Sequence, residues 1–261
     1  MIQREPMTGA ADTAGIARTN TADAGPASPS GDRPVCVSSR DQPVDAVVGD
    51  GVVRFDRAER WMHWANATLV LVLIATGSVM YIGALSGLIG RRVLVEAIHL
   101  WAGLALPVPF AITLAGRWNR GLRRDARRLG RFLNDDWLWL RKRFRRSGAL
   151  RIGKFNGGQK VNAVLVAATL PVLFATGVLL EWNGGLSDSW RTGTTFVHDW
   201  GYVGLSLLVL GHILKALADP VSLQAMRRGT VPRRWVLEEH PRWHDELPPV
   251  DGGPSEEPPK G

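Results

Sequence analysis

The chain has 261 residues, 45% of them hydrophobic, a net charge of +8 and a mean hydropathy close to zero. One cysteine, Cys36, excludes an internal disulfide and a cysteine-held iron–sulfur cluster. The average hydropathy would suit a soluble protein, but the apolar residues gather in the middle of the chain and the basic ones between apolar runs, so the charge reads as membrane topology rather than nucleic-acid binding.

In chain order, residues 1–50 are rich in Gly, Ala, Asp, Pro, Ser and Thr and lack an apolar core of signal-peptide length. They are predicted to be a disordered cytoplasmic extension. Four apolar runs follow. Trp61–Gly90, Ala97–Gly116 and Val161–Leu180 contain no Asp, Glu, Lys or Arg; the fourth, Thr192–Leu217, has Asp199 near its start and Lys215 near its end. Each meets or approaches the roughly 20 residues that a bilayer-spanning helix needs. Helices satisfy their own backbone in lipid, and Asp219-Pro220 supplies a stop for the fourth. Four such runs in so short a chain leave little sequence to cover them, which argues against buried helices of a soluble core. The expected fold is therefore all-α: an integral membrane four-helix bundle over 51–220, with disordered tails at 1–50 and within the cytoplasmic segment 221–261, from about Leu247 onward.

Arg and Lys set the orientation. The segment Arg117–Lys154 carries 14 of them against Asp125, Asp135 and Asp136, and Arg227, Arg228, Arg233 and Arg234 follow the fourth run. The other two connections hold only Arg91, Arg92 and Arg191. Positive charge marks the cytoplasmic side, so both termini and the long middle segment are expected inside, with the protein multi-pass in the cytoplasmic (inner) membrane. The middle segment also contains Trp137, Trp139 and Phe144. An amphipathic helix on the inner leaflet and a solvated basic loop are both open readings.

Six histidines remain: His63, His99, His198, His212, His240 and His244. The first four fall in or at the ends of predicted spans, where ionisable residues are costly and functional by default. The topology sorts them by depth. His63 and His212 lie near the inner face, and His99 and His198 near the outer one. His198 and His212 are fourteen residues apart, about 40° short of four helical turns and roughly 21 Å of rise, so they project from nearly one face at two depths. This suits two haems stacked along a bundle axis, each clamped by two imidazoles. Gly77, fourteen residues after His63, would leave room for a flat macrocycle at the outer level, or simply allow close helix packing. Zinc or copper would also accept imidazole, but no thiol or carboxylate cluster completes a tetrahedral site.

The stretches RFDRAERWMHW (Arg54–Trp64), GKFNGGQKVN (Gly153–Asn162), FVHDWGYVGLSLLVLGHI (Phe196–Ile213) and WVLEEHPRWHDE (Trp235–Glu246) together resemble the gamma subunits of respiratory formate dehydrogenases, di-haem cytochromes b of the cytochrome b561-like membrane group. The resemblance covers roughly residues 52–247 and departs from the family in the long N-terminal extension. It implies two haem b groups, the inner held by His63 and His212 and the outer by His99 and His198. It places Asn156 near a quinone pocket (menaquinone or ubiquinone), a position where a helix N-cap is the other reading. It further implies an iron–sulfur beta subunit and a molybdenum- or tungsten-bearing alpha subunit as partners. Formate oxidation would then occur on the partner, with no catalytic residue on this chain. His240 and His244 are assigned no haem and a docking or structural role. Two alternatives stay open: the same di-haem cytochrome serving a hydrogenase, thiosulfate reductase or other molybdenum oxidoreductase, and a haem-free four-span metal transporter or scaffold.

Overall fold

The computed structural model describes residues 44–116, 119–141, 150–182, 184–185 and 187–249. The expected extension up to residue 43, the tail beyond 249 and Phe144 lie outside the described residues.

Four helical segments are long and apolar enough to cross a membrane: Arg57–Tyr81, Arg92–Ala115, Gly157–Glu181 and Asp188–Leu217. The first is α1 (Arg57–Tyr81). A capping box starts it: Asp56 accepts from the Glu59 amide at 2.7 Å, and Glu59 accepts from the Asp56 amide at 3.0 Å. Ile82 turns extended ahead of Gly83, and the rest of the first apolar run becomes a separate short helix, α2 (Gly83–Ile89), closed by Gly90 at φ 63°. The second span is broken into α3 (Arg92–Ala105) and α4 (Pro107–Ala115). Pro107 has no N–H to continue the ladder, and Leu106 closes the break by bonding back to Gly103 at 3.1 Å.

The middle segment is helical in two pieces, α5 (Asn119–Gly130) and α6 (Asn134–Arg141). Then come α7 (Gly157–Glu181) and α8 (Asp188–Leu217). At 30 residues α8 is about 45 Å long, more than the roughly 30 Å of a hydrocarbon core. The chain closes with α9 (Pro220–Arg228), α10 (Arg233–Glu239) and α11 (Pro241–Asp245).

In the bundle α1 packs mainly on α3, and α7 on α8, with further contacts of α1 to α8 and α3 to α7. Val70, Leu106 and Leu205 form its small centre, flanked by Leu69, Leu73, Ile74, Val166, Leu170, Leu173 and Val209. Most other apolar side chains face outward, Leu207 at 65% exposure and Phe110, Leu71 and Val172 near half. Apolar surface on this scale finds its counterpart in lipid rather than in protein; the chain is a multi-pass membrane protein.

Composition carries the N-terminal tail to residue 50, whereas strand structure begins at Val47. Val47–Val48 (β1), Gly51–Val53 (β2) and Thr230–Pro232 (β3) form a three-stranded antiparallel sheet in the order β1-β2-β3, pairing Val47 with Val52 and Val52 with Val231. Val52, Ala225, Val231, Val236, Trp243 and Leu247 make a second core beneath it. Residues 44–50 thus belong to a folded cap at the end of the bundle where α1 and α7 begin, and so do residues 221–249. Strands of two or three residues leave no period-2 signal long enough to read, and their partners lie at the other end of the chain.

The chain also repeats itself at an interval of one hundred residues. LVLIATGSVM (Leu71–Met80) in α1 corresponds to PVLFATGVLL (Pro171–Leu180) in α7. The capping box Asp56/Glu59 corresponds to Asn156/Gln159. Equivalent residues meet each other: Phe55 and Phe155 rings lie 6.2 Å apart, and Arg54 donates to the Lys154 carbonyl at 3.0 Å. Self-contact of equivalent positions is what an approximate two-fold relation between the α1–α4 and α7–α8 halves produces.

Candidate functional site

The structure brings together the pairs that topology predicts. His63 on α1 faces His212 on α8 with ring centroids 6.1 Å apart and planes at 62°. His99 on α3 faces His198 on α8 at 6.4 Å and 69°. Metal–imidazole bonds are about 2 Å long, as for zinc, so two rings facing one another across a shared ion have centroids roughly 6 Å apart. Both pairs meet that spacing. Among the described residues no group of three His, Cys, Asp or Glu could hold a metal ion, so each pair is a two-imidazole donor set. Two imidazoles would supply both axial ligands of a haem, whereas a tetrahedral ion takes four ligands.

The outer pair shows how its rings are held. Thr76 Oγ1 lies 2.8 Å from His99 Nδ1, and Thr176 Oγ1 lies 2.9 Å from His198 Nδ1. With Nδ1 engaged, Nε2 of each ring is the nitrogen left for a metal. Glycine gives clearance alongside. A Cβ on Gly77 would lie 3.4 Å from Tyr202 and 3.6 Å from His99 Cε1, and one on Gly177 would lie 3.4 Å from His198 Cε1. Tyr202 is anchored to Ser78 at 2.8 Å. Gly77 thus packs against Tyr202 and His99, and Gly177, its repeat equivalent, against His198.

Histidines alone did not reveal Thr76, Thr176 and Gly177. The signal was present as Ala-Thr-Gly at 75–77 and again at 175–177. The outer pair itself joins equivalent helices of the two halves. The inner pair does not: His63 and His212 come from α1 and α8, non-equivalent helices, and Ala163 stands at the repeat position of His63.

Asn156 caps α7, its Oδ1 accepting from the Gln159 amide at 3.0 Å while Gln159 accepts from the Asn156 amide at 3.1 Å. Its side-chain amide nitrogen takes no part in the cap. Among the described residues no hydrogen bond joins Asn156 to His63 or His212. A cleft of about 610 Å³ lies elsewhere, between α1 and α9, and is lined by Arg57, Arg60, Trp61, Trp64 and Met226 among others. It contains none of the predicted site residues.

His240 is buried between Trp235 and Trp243, with Nδ1 2.5 Å from the Gly153 carbonyl. It ties the C-terminal helices to the lead-in of α7, which is a structural role. His244 lies 3.7 Å from Asp245 on α11, outside the bundle.

Charge is concentrated in the cap. Lys154, its side chain fully buried, binds Asp125 on α5 at 2.6 Å, and Lys160 on α7 binds Asp136 on α6 at 2.6 Å. Burial holds Lys154 below the usual lysine value and Asp125 above the usual aspartate value, each opposed by the charge of the other. Burial likewise brings Arg54 down to about 10, against Asp219 and Asp125. Burial alone would raise Asp45, but Lys154, Arg128, Arg124 and the Trp243 indole outweigh it and hold the carboxyl below its usual range. These pairs fix the middle segment: α5 and α6 are bound to the cap through Arg128–Asp45, Arg128–Glu246 and Arg242–Asp135.

Comparison with known proteins adds an independent observation. The family model described as prokaryotic cytochrome b561 matches residues 54–229. The cytochrome b556(Fdn) subunit of the nitrate-inducible formate dehydrogenase of Escherichia coli (strain K12) is 29% identical over 100 residues, 37% of this chain and 46% of that protein. The protein of the same name from Shigella flexneri matches to the same extent. The match therefore spans less than half the length of these curated relatives.

Proposed function

The chain belongs to the prokaryotic cytochrome b561 family, and from that membership we propose that it is the di-haem, membrane-anchoring subunit of a respiratory formate dehydrogenase. At the coarser level it is a membrane cytochrome b that transfers electrons. The finer reading is carried by one observation: two imidazole pairs on a single bundle, at 6.1 and 6.4 Å between ring centroids.

A haem b held between two imidazoles supplies a six-coordinate one-electron centre suited to electron transfer rather than oxygen binding. In this reading His99 and His198 hold the outer group through Nε2, with Nδ1 fixed by Thr76 and Thr176. His63 and His212 hold the inner one. The spacing of His198 and His212 along α8, about 21 Å of rise, sets the two centres at separate depths. Electrons enter from an iron–sulfur beta subunit served by a molybdenum- or tungsten-bearing alpha subunit, and leave at the cytoplasmic side to menaquinone or ubiquinone.

Reducing a quinone takes two electrons and two protons. At the inner end of the bundle, both protons can come from the cytoplasm while the electrons arrive from outside, so the step separates charge. Asn156 is the residue to orient the quinone there. Its Oδ1 is occupied by the cap of α7, and its free side-chain amide donates to a quinone carbonyl. Both termini lie in the cytoplasm and the protein sits in the inner membrane, an orientation supported by the basic residues of the middle segment and of the stretch after α8. Family membership favours this reading over a haem-free transporter or scaffold.

The direct test is co-purification of the full chain in mild detergent, with subunit identification and an oxidised and dithionite-reduced visible spectrum of the same sample. The reading predicts b-type bands and an iron–sulfur and molybdenum or tungsten partner. Bands with a hydrogenase or thiosulfate reductase partner would replace the partner, and absence of bands would remove the haems.

A further inference from the structure

Two hydroxyls single out the outer imidazole pair. Thr76 Oγ1 lies 2.7 Å from the Val72 carbonyl one turn back, and Thr176 Oγ1 lies 2.8 Å from the Val172 carbonyl. Each threonine has one hydroxyl hydrogen, and carbonyls of its own helix take it, with Leu73 and Leu173 as further acceptors at 3.2 Å. With Nε2 committed to a metal, as the di-haem reading has it, a neutral imidazole carries its proton on Nδ1, so His99 and His198 would donate to the threonine oxygens. Each outer ring therefore heads a chain running N–H to O–H to C=O, in which each bond polarises the next. The arrangement occurs twice, once in each half of the repeat. Among the described residues no side-chain hydroxyl or carboxylate hydrogen-bonds to His63 or His212.

From this asymmetry we infer that Thr76 and Thr176 are positioning residues that make the outer imidazoles the more electron-donating pair, and so set the outer centre at a lower reduction potential than the inner one. The inference rests on the di-haem reading above. An imidazole that donates its other N–H to an oxygen acceptor is a more basic ligand, and a more basic axial ligand favours the oxidised metal. Second-shell hydrogen bonding is one of the means by which a protein tunes such a centre. Transfer from the outer to the inner centre then runs downhill, toward the quinone side. Threonines serving only as helix-packing hydrogen bonds would hold the bundle together without moving either potential.

The experiment is a spectroscopic redox titration of the full chain in detergent, in the wild type, Thr76→Val, Thr176→Val, the double variant and the Thr→Ser counterparts. His212→Ala, which leaves only the outer pair, assigns the components. In the wild type the component retained by His212→Ala has the lower potential. The double Val variant is expected to raise that component so that its reduced-to-oxidised ratio at a fixed potential grows about tenfold, which is about 59 mV for one electron. Each single variant moves it partway, the Ser variants restore it, and the inner component stays in place. Should the double variant lose the outer haem, the single variants, each keeping one brace, must still show the upward shift. Two bound haems with unmoved potentials, or a shift confined to the inner component, would overturn the inference. A wild-type chain without haem would instead sink the reading beneath it.

Discussion

The bundle and the cap solve the problem of polar groups in opposite ways. In the bundle polar side chains are few and are used locally: Thr76, Thr176 and Ser78 each bond one turn back along their own helix and then reach a single neighbour. The centre is thin and much of the apolar surface faces outward, so lipid does the work that a core does elsewhere. In the cap the sequence separation of partners is long. Trp243 Nε1 donates to Asp45 at 2.9 Å, and Lys154 binds Asp125 across α5. Here a protein core of ordinary kind is assembled around buried charges. The bundle carries the candidate cofactor ligands, and the cap fixes the starts of α1, which bears His63, and of α7, which bears Thr176.

The largest expected effect lies in the bundle. His212→Ala should remove one haem of two and abolish quinone reduction while the outer haem is retained, as measured by haem quantification and quinone reduction on the purified complex. Unchanged haem content would break the assignment of His63 and His212. In the cap, Lys154→Met leaves the buried Asp125 with Arg128 at 3.5 Å as its remaining cation, so the change should cost somewhat less than the roughly 3–5 kcal/mol of a fully broken buried pair. Limited proteolysis should then cut within 221–249 while the transmembrane helices stay intact. Adding Asp125→Leu should recover most of the loss, since a buried ion pair replaced by apolar groups is often near neutral; no recovery would mean that the pair itself stabilises the cap.

Acid should separate the two regions as well. The Asp45 carboxyl is held below its usual 3.8. A group depressed in the folded state contributes stability above its unfolded value and loses it as pH falls through the folded one. The cap should therefore loosen below about pH 4, followed by Trp fluorescence. Asp45→Asn should be less stable than the wild type at neutral pH and show a flatter acid limb; identical profiles would remove Asp45 from the account. The smallest effect is expected at Asn156. Asn156→Asp keeps an oxygen to cap α7 but loses the amide donor, so the KM for quinone should rise about fivefold, the worth of a hydrogen bond of about 1 kcal/mol, with thermal stability unchanged. Loss of stability without a change in KM would leave Asn156 as a cap alone.

The same contrast explains what could be read from the sequence. The spans were legible because a run such as Val161–Leu180 states its own environment, and the pairing of His63 with His212 and His99 with His198 followed from depth along helices of fixed rise. The break at Pro107 and the separate helix Gly83–Ile89 were not separated from their runs, because hydropathy is blind to where a backbone ladder is interrupted. The cap was hidden for a different reason. Val47, Val52 and Val231 are unremarkable one at a time, and Asp45 meets Trp243 only once the bundle has brought the two ends of the chain together. Thr76 and Thr176 lay between these cases: polar residues inside apolar runs, visible as a repeated Ala-Thr-Gly but without meaning until His99 and His198 were seen against them.

The central claim is that each of two imidazole pairs grips one iron. Electron paramagnetic resonance of the oxidised full chain, read with haem quantification on the same sample, tests it most directly. Two low-spin ferric signals at two haems per chain are the predicted result. A single haem, or a high-spin signal from an iron held on one side only, would contradict it.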